Sequence, residues 1–425
     1  MKYLDVVVEN KSRHTDSFFT YRAPDETELR IGDKVWVPFG RGDKTKAGFV
    51  FAFPEHISCP EQKIKEIEGV DAAGSLNREM MKTAAWMKQR YAITYSDAIS
   101  CFCVKGKPPR EGKAKEPYKD LPGRDERPAA LTEEQTASVE RINEAIAASR
   151  HEIFLLHGVT ASGKTEVYME AIDKCLKLDK TAIMLVPEIA LTNQIMEHFI
   201  GRFGKDRLAV MHSKLTPRER YDEWHRIRSG RARIVIGARM GVFAPAENIG
   251  LIIMDEEHEA TYKSDMTPKY DTVEVAAKRL QTTGGVLLLG SATPSVVSYE
   301  RAKEGIYQLL TLKQRYNRNP LPRVEIVDMR EELRAGNTNI FSRRLYTAIE
   351  ETLKKGQQVI LFQNRRGYSN FVSCRACGAV MKCPECDLSL VYHKKEHAMI
   401  CHYCGRQFPL PETCPVCGSR YLKHF

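Results

Sequence analysis

Five short runs between residues 152 and 291 are apolar with no polar alternation: EIFLLH, TAIMLVP, RIVIG, LIIMDE and GVLLLGS. Strands of this kind bury both faces, which suits a parallel sheet covered by helices on either side. The first run ends at a glycine, and Gly158-Val-Thr-Ala-Ser-Gly163-Lys164-Thr165 fits G-x-x-x-x-G-K-[ST]. Glycines at this spacing let the chain curl so that successive N–H groups face phosphate oxygens. Lys164 adds a compact positive charge for the β- and γ-phosphates, and Thr165 a hydroxyl for Mg²⁺. The helix opening here contributes its positive dipole end. Downstream, LIIMDEEHEA carries Asp255-Glu256-Glu257-His258 at the tip of an apolar strand. Asp255 is the candidate Mg²⁺ carboxylate, and Glu256 the candidate group that orients and deprotonates the attacking water. With the phosphate loop expected on a neighbouring parallel strand, the pair reads as a site hydrolysing ATP or a close relative.

The remaining chain divides by pattern. Residues 1–75 hold alternating segments broken by turns (YLDVVVEN, FFTYRAP, DKVWVPFG, KAGFVFAFP) and read as a small β-rich domain. Residues 76–103 put Met80, Met81, Ala84, Ala85, Met87 and Tyr91 on one helical stripe, read as a core face. Residues 104–130 are rich in Pro, Gly and both charges, which predicts a linker with little capacity to bury a core. The α/β lobe runs from 131 to about 315. A second unit follows over 316–373, with helix SRRLYTAIEETLKKG and strand QVILFQN, before a cysteine-rich stretch at 374–417 and a tail at 418–425. No apolar stretch approaches the roughly 20 residues that cross a bilayer. The start, MKYLDVVVENKSRH, has no signal-peptide core, and a cytoplasmic location is expected. The net charge of +10 favours a polyanion partner without demonstrating one.

A phosphate loop alone does not separate a helicase from a kinase or a transporter ATPase. VPEIALTNQ (186–194), IGARMGVFAP (236–245), LLGSATPS (288–295) and QNRRGYSN (363–370) all follow strands, so they are expected at one sheet edge. With GVTASGKTEVY and DEEH, these stretches resemble the superfamily 2 helicase motifs of the PriA replication-restart family. The resemblance covers most of the chain, from VPFGR near the start to the paired cysteines.

That resemblance implies a RecA-like P-loop lobe preceded by a β-rich domain for the 3′ end of a nascent strand. An incomplete second lobe carrying a two-zinc ribbon insertion would follow. It implies an enzyme that uses ATP to move 3′ to 5′ on single-stranded DNA at stalled forks. Carried onto this chain, Gly158, Gly163, Lys164 and Thr165 bind nucleotide, and Asp255 and Glu256 bind Mg²⁺ and activate water. Gln135 of LTEEQ would contact adenine, and Ser291 and Thr293 of SAT would link the nucleotide state to DNA. The stretch EATYKSDMTPKYDTVEVA resembles the family's aromatic-rich loop. There Tyr262 and Tyr270 offer ring faces on which bases can stack, and Lys263 and Lys269 can meet phosphates. Arg365 and Arg366 are candidate phosphate or DNA contacts. Branched or single-stranded DNA, single-strand-binding protein and primosome components are the implied partners of a monomer.

Two departures stand out. Many members have Phe-Asp-Tyr where this chain reads Phe19-Thr20-Tyr21, which removes a carboxylate expected at the terminal nucleotide. The family usually places a winged-helix domain before the helicase lobe, and the polar 104–130 linker is too short for one. The arginines that complete the ATP site in this family lie beyond the cysteine array, and this chain stops at GSRYLKHF. Weak ATP binding and slow or no hydrolysis are therefore expected. The alternative function is a non-enzymatic, zinc-containing DNA-binding module.

Eight of the twelve cysteines fall in four Cys-x-x-Cys pairs: Cys374/Cys377, Cys383/Cys386, Cys401/Cys404 and Cys414/Cys417. Zinc takes four thiolates tetrahedrally, so the eight predict two closed structural sites. The second and third pairs flank DLSLVYHKKEHAMI, a strand-turn-strand suited to a ribbon hairpin, which favours one zinc there. The outer pairs then share the other, a nesting that the resemblance also implies. Strictly sequential pairing, with five residues between the first two knuckles, is the alternative. His393, His397 and His402 read as exposed ribbon residues.

Overall fold

The computed structural model describes residues 2–424 except Lys11, Arg41, Ser58, 105–116, Lys119, 125–126, 188–191, Leu321, 363–370 and Lys395. They form two units, Met1–Pro320 and Leu321–Phe425.

The alternation near the start produces β1 (Lys2–Val8), β2 (Phe19–Ala23), β3 (Lys34–Phe39) and β4 (Lys44–Ala52), joined by short β5 (Lys65–Glu66) and β6 (Gly69–Asp71). They form one sheet in the order β5-β2-β1-β4-β3-β6. Period-two alternation sends Leu4, Val6 and Val8 to one face, with Tyr21, Val35, Val37 and Val50, and turns Val7 and Phe49 to the other. The second face is covered by α1 (Arg78–Tyr91) and α2 (Tyr95–Ser100). The single helical stripe expected over 76–103 is thus two helices. Ala92 takes a left-handed conformation (φ 51°) that ends α1, and a Thr94/Asp97 capping box starts α2. Met80, Met81, Ala84 and Met87 are buried as the stripe predicts.

The lobe contains β7 (Ile153–Gly158), β8 (Thr181–Leu185), β9 (Leu208–Met211), β10 (Ile234–Gly237), β11 (Ile249–Asp255), β12 (Val286–Ser291) and β13 (Gln308–Leu312). Their order is β13-β7-β12-β11-β8-β10-β9, and every pair is parallel. Helices α3 (Glu133–Ala147), α4 (Lys164–Lys177), α5 (Asn193–Phe203), α6 (Pro217–Arg228), α7 (Thr272–Thr283) and α8 (Val296–Lys303) accompany it. Alternate residues of each central strand enter two cores, one on each face. Leu155, Ile183, Ile252 and Leu287 lie in one, and Phe154, Ala182, Leu251 and Leu288 in the other. All five apolar runs are strands of this sheet. The edge strands β9 and β13 are not distinguished by composition, being short or partly exposed.

The first core is continuous with the α1–α2 layer, so the β-rich part and the lobe are packed together. A wholly buried arginine pins them. Arg279 of α7 donates to Glu79 of α1 through Nε (3.0 Å) and Nη2 (2.7 Å), and through Nη1 to the carbonyls of Val242 (2.6 Å) and Ala244 (2.9 Å). The Tyr91 hydroxyl adds a second tie, donating to Glu274 at 2.9 Å. The end of the expected linker also lies on the lobe. Tyr118 and Leu121 pack against the second core, and the Arg124 N–H donates to Glu197 O.

The second unit opens with α9 (Met329–Arg334) and α10 (Arg343–Lys354). The strand expected at QVILFQN is not formed over residues 357–362, where Ile360 and Phe362 are 91% and 83% exposed. A strand needs a neighbouring strand for its backbone N–H and C=O groups, and no described strand pairs with residues 358–362. Beyond it, β14 (Val372–Cys374) pairs with β18 (Leu422–His424), while β15 (Val391–His393), β16 (Ala398–Ile400) and β17 (Gln407–Pro409) form an antiparallel ribbon.

Removing one partner of a buried ion pair leaves the other charged and unpaired. Arg279→Met is expected to destabilise the chain by roughly 3–5 kcal/mol, read as a lowered urea midpoint; a midpoint within experimental error of the parent would show that the pin is not structural.

Candidate functional site

The phosphate-loop motif sits where its pattern requires, between the end of β7 and the start of α4. Gly158 has no room for a side chain, because a Cβ there would lie 2.5 Å from Ser162 Oγ. Gly163 caps α4 with φ 79°, a conformation favourable to glycine. The Lys164 ammonium donates to the Gly158 carbonyl at 3.0 Å. The Ser162 hydroxyl is buried with no hydrogen-bond partner among the described residues.

The acidic tip is not on the neighbouring strand. β12 runs between β7 and β11, correcting the expected adjacency. The two tips nevertheless meet. Tyr168, one turn into α4, passes over Gly290 at the end of β12 and donates its hydroxyl to Asp255 Oδ1 at 2.9 Å. A methyl group at Gly290 would overlap that hydroxyl, so only glycine leaves the passage open. Lys164, Thr165, Asp255 and Glu256 thereby line one cleft of about 280 Å³, with Thr160, Ala161, Gly163 and Tyr316. Burial raises the Asp255 carboxyl above its ordinary value, opposed by the Tyr168 hydrogen bond and the Lys164 charge. Hard oxygen donors from Asp255 and Thr165 on one cleft form a set suited to Mg²⁺. Glu256 occupies the left-handed region (φ 46°), which costs a non-glycine residue about 1–3 kcal/mol. That twist separates the side chains of Glu256 and Glu257. Glu256 lines the cleft while Glu257 turns inward.

Glu257 has a role that its sequence position did not reveal. It is buried, and its carboxylate accepts from the Ser295 N–H (2.6 Å), the Ser295 hydroxyl (3.2 Å) and the Ser298 hydroxyl (2.8 Å). His258 Nδ1 lies 2.8 Å from Ser291 Oγ, which also accepts from the Thr293 N–H at 3.0 Å. DEEH and SATPS are therefore one hydrogen-bonded unit at the tips of adjacent β11 and β12. Tyr168, Gly290 and Glu257 were all missed by motif reading. A tyrosine four residues after the loop lysine, with a glycine ending an apolar run, was the available signal.

Three of the expected contact residues are buried. Gln135 is buried, and its amide serves the chain itself: Oε1 accepts from the Thr132 N–H (2.8 Å) and Nε2 donates to the Ser162 carbonyl (2.8 Å). It braces the phosphate loop. Tyr262 and Tyr270, expected to stack on bases, are 3% and 4% exposed. The Tyr262 hydroxyl lies 2.7 Å from Asp255 O and 3.0 Å from Leu185 O, and Tyr270 packs edge-on against Phe243. Both rings are core residues of the loop. Lys263 and Lys269 are exposed, whereas Arg365 and Arg366 lie outside the described residues. On the β-rich sheet, Thr20 donates to Asp5 Oδ1 at 2.8 Å from the paired position on β1, so a carboxylate stands beside it.

The cysteines resolve into the nested pairing. Cys374, Cys377, Cys414 and Cys417 form one cluster, and Cys383, Cys386, Cys401 and Cys404 the other, with ligand atoms of each cluster within 4.8 Å of one another. Sulfur–sulfur separations of 3.6 Å (Cys374–Cys417), 3.7 Å (Cys377–Cys414) and 3.8 Å (Cys383–Cys404) match the edge of a ZnS₄ tetrahedron, about 3.8 Å for bonds of about 2.3 Å. Each pair is one copy of the same turn, in which the N–H four residues beyond the first cysteine donates back to its carbonyl. Backbone N–H groups of Cys404 and Tyr403 hold the Cys401 thiol down to about 7, which favours the thiolate a metal needs. His393 and His402 face each other on the ribbon, Nε2 to Nε2 at 2.7 Å, outside both clusters.

Comparison with known proteins agrees with this division. A family model described as the 3′DNA-binding domain (3′BD) of PriA matches residues 5–103, spanning the β-rich sheet together with α1 and α2. A DEAD/DEAH box helicase model matches 132–302, and the PriA DNA helicase Cys-rich region model matches 383–409. The replication restart protein PriA of Bacillus subtilis (strain 168) is 49% identical over 334 residues, covering 78% of this chain and 41% of that protein. That of Treponema pallidum (strain Nichols) is 38% identical over 414 residues, covering 95% of this chain and 61% of that protein. The Synechocystis (strain PCC 6803) protein of the same name is 47% identical over 280 residues, covering 64% and 34%. The chain thus spans between 34% and 61% of the length of these three relatives.

Elemental analysis should find two zinc atoms per chain. Cys401→Ser and Cys414→Ser should each lower that to about one, since the sites share no ligand; loss of both metals from either variant would contradict two independent sites.

Proposed function

The chain belongs to the PriA family of replication-restart proteins, and from that premise we propose that it supplies the nucleotide and DNA sites of an ATP-driven helicase of replication restart. The observation that carries the reading is the convergence of Lys164, Thr165, Asp255 and Glu256 on one cleft from two non-adjacent strands.

The loop N–H groups from Gly158 to Thr165 cradle the phosphates, and Lys164 exchanges its bond to the Gly158 carbonyl for the β/γ oxygens. Magnesium, when bound, supplies charge that balances the phosphate oxygens. Thr165 and Asp255 hold it, and Asp255 must be ionised to do so. Glu256 orients and accepts the proton of the attacking water. A change at the phosphates moves Asp255, and the Glu257–Ser295 and His258–Ser291 bonds carry that movement into the SATPS loop. The buried loop tyrosine Tyr262, bonded to the Asp255 carbonyl, carries it toward Lys263 and the DNA side. In this reading DNA contacts fall to Lys263, Lys269, Arg365 and Arg366 and to the β-rich sheet, with Asp5 and Thr20 beside a 3′ end. The protein moves 3′ to 5′ along the single strand, branched or single-stranded DNA is the substrate, and single-strand-binding protein and primosome components are the partners. The setting is the cytoplasm and the chain is a monomer; no helix among the described residues is long and apolar enough to cross a membrane.

No arginine lines the cleft among the described residues, and phosphoryl transfer in such sites gains much of its rate from one. ATP should therefore bind in the presence of Mg²⁺ and turn over far below the order of 10 s⁻¹ usual for enzymes. Calorimetric titration should show ATP binding that Lys164→Ala weakens at least about tenfold. A parent chain that binds DNA and zinc but no ATP would instead support the zinc-containing DNA-binding module.

A further inference from the structure

Tyr316 is 64% exposed yet lines the phosphate cleft together with Asp255 and Glu256. Its position is built into the fold. Edge strand β13 runs parallel to β7 with Leu312 paired to Gly158, and the Val159 N–H donates to Leu312 O at 3.2 Å. The chain leaving β13 is then held twice more. The Lys313 N–H donates to Glu134 of α3 at 2.8 Å, and the Tyr316 N–H donates to Ala161 O of the phosphate loop at 3.0 Å. Two backbone–backbone bonds and one to the Glu134 carboxylate thus carry an aromatic ring to a site otherwise lined by small, polar and charged side chains. Apart from its hydroxyl, such a ring gains nothing from phosphate, and its flat apolar face suits the one flat apolar part of a nucleoside triphosphate. Gln135, the residue expected to recognise the base, is engaged elsewhere, bracing Ser162 from the same α3 that anchors Lys313.

We propose that Tyr316 forms the nucleobase subsite of this cleft, stacking its ring on the purine of a bound nucleoside triphosphate. The proposal rests on the nucleotide reading above. Stacking depends on ring area and not on edge hydrogen bonds, so purines bind better than pyrimidines while ATP and GTP are poorly separated.

Calorimetric titrations of the whole chain with Mg²⁺ and either ATP or inorganic tripolyphosphate separate the base from the phosphates. Tyr316→Ala should weaken ATP about tenfold and leave tripolyphosphate unchanged. Tyr316→Phe should retain parental affinity for both. Tyr316→Trp should show indole fluorescence quenched by ATP and unaffected by tripolyphosphate. Equal weakening of both ligands by Tyr316→Ala would make the residue a mere support of the loop, and weakening of neither would remove it from the site; either result overturns the proposal. Lys164→Ala should weaken both ligands, and a parent chain that binds neither would instead defeat the underlying nucleotide reading.

Discussion

The hydrogen bond from Tyr168 to Asp255 is the contact on which the site depends. Phosphate loop and acidic tip belong to strands that do not touch, and the sheet alone would leave them about 10 Å apart across an intervening strand. Tyr168 closes that gap from α4, and it can do so only because Gly290, the penultimate residue of β12, has no side chain. The bond also sets the electrostatics. Burial would favour a neutral Asp255, and the donated proton from Tyr168 together with the Lys164 charge pulls the carboxyl back toward ionisation. One buried hydroxyl thus does positioning and charge tuning at once.

A second constraint acts at larger scale. Arg279 satisfies a carboxylate on α1 and two carbonyls following β10, so the lobe and the β-rich sheet share one desolvated charge network. Nearby, α7 begins at the end of the loop that holds Tyr262, and the Thr272 hydroxyl donates to the Tyr262 carbonyl at 2.6 Å. Tyr262 in turn is bonded to the backbone of Asp255. A continuous series of packed groups therefore runs from α1 to Asp255. The family match over 5–103 ends with α2, so the helices that meet the lobe fall within the same matched segment as the sheet.

Much of this was legible in the residues. Runs such as LIIMDE and GVLLLGS carry no polar alternation, and that alone predicts central parallel strands. The cysteine spacing predicted two four-sulfur clusters, and the length of the intervening hairpin favoured the nesting that the sulfur positions bear out. What escaped depends on distance between segments. No local pattern says that Tyr168 reaches across Gly290, or that Gln135 turns to Ser162. Tyr262 and Tyr270 were read as base-stacking rings from the resemblance to an aromatic-rich loop, whereas the fold buries them against Leu185 at the end of β8 and Phe243 beyond β10. The break between α1 and α2 coincides with the capping pair Thr94-x-x-Asp97, which the apolar stripe over Met80–Tyr91 does not reach.

A double-mutant cycle on Mg²⁺-dependent ATP affinity, using Tyr168→Phe and Asp255→Asn, tests the bridged site most directly. If Tyr168 acts through Asp255, the double variant should lose clearly less than the two single losses combined, with a coupling of about 0.5–3 kcal/mol. Strictly additive losses would mean that the two residues act independently, and the cleft would then not be held together by their contact.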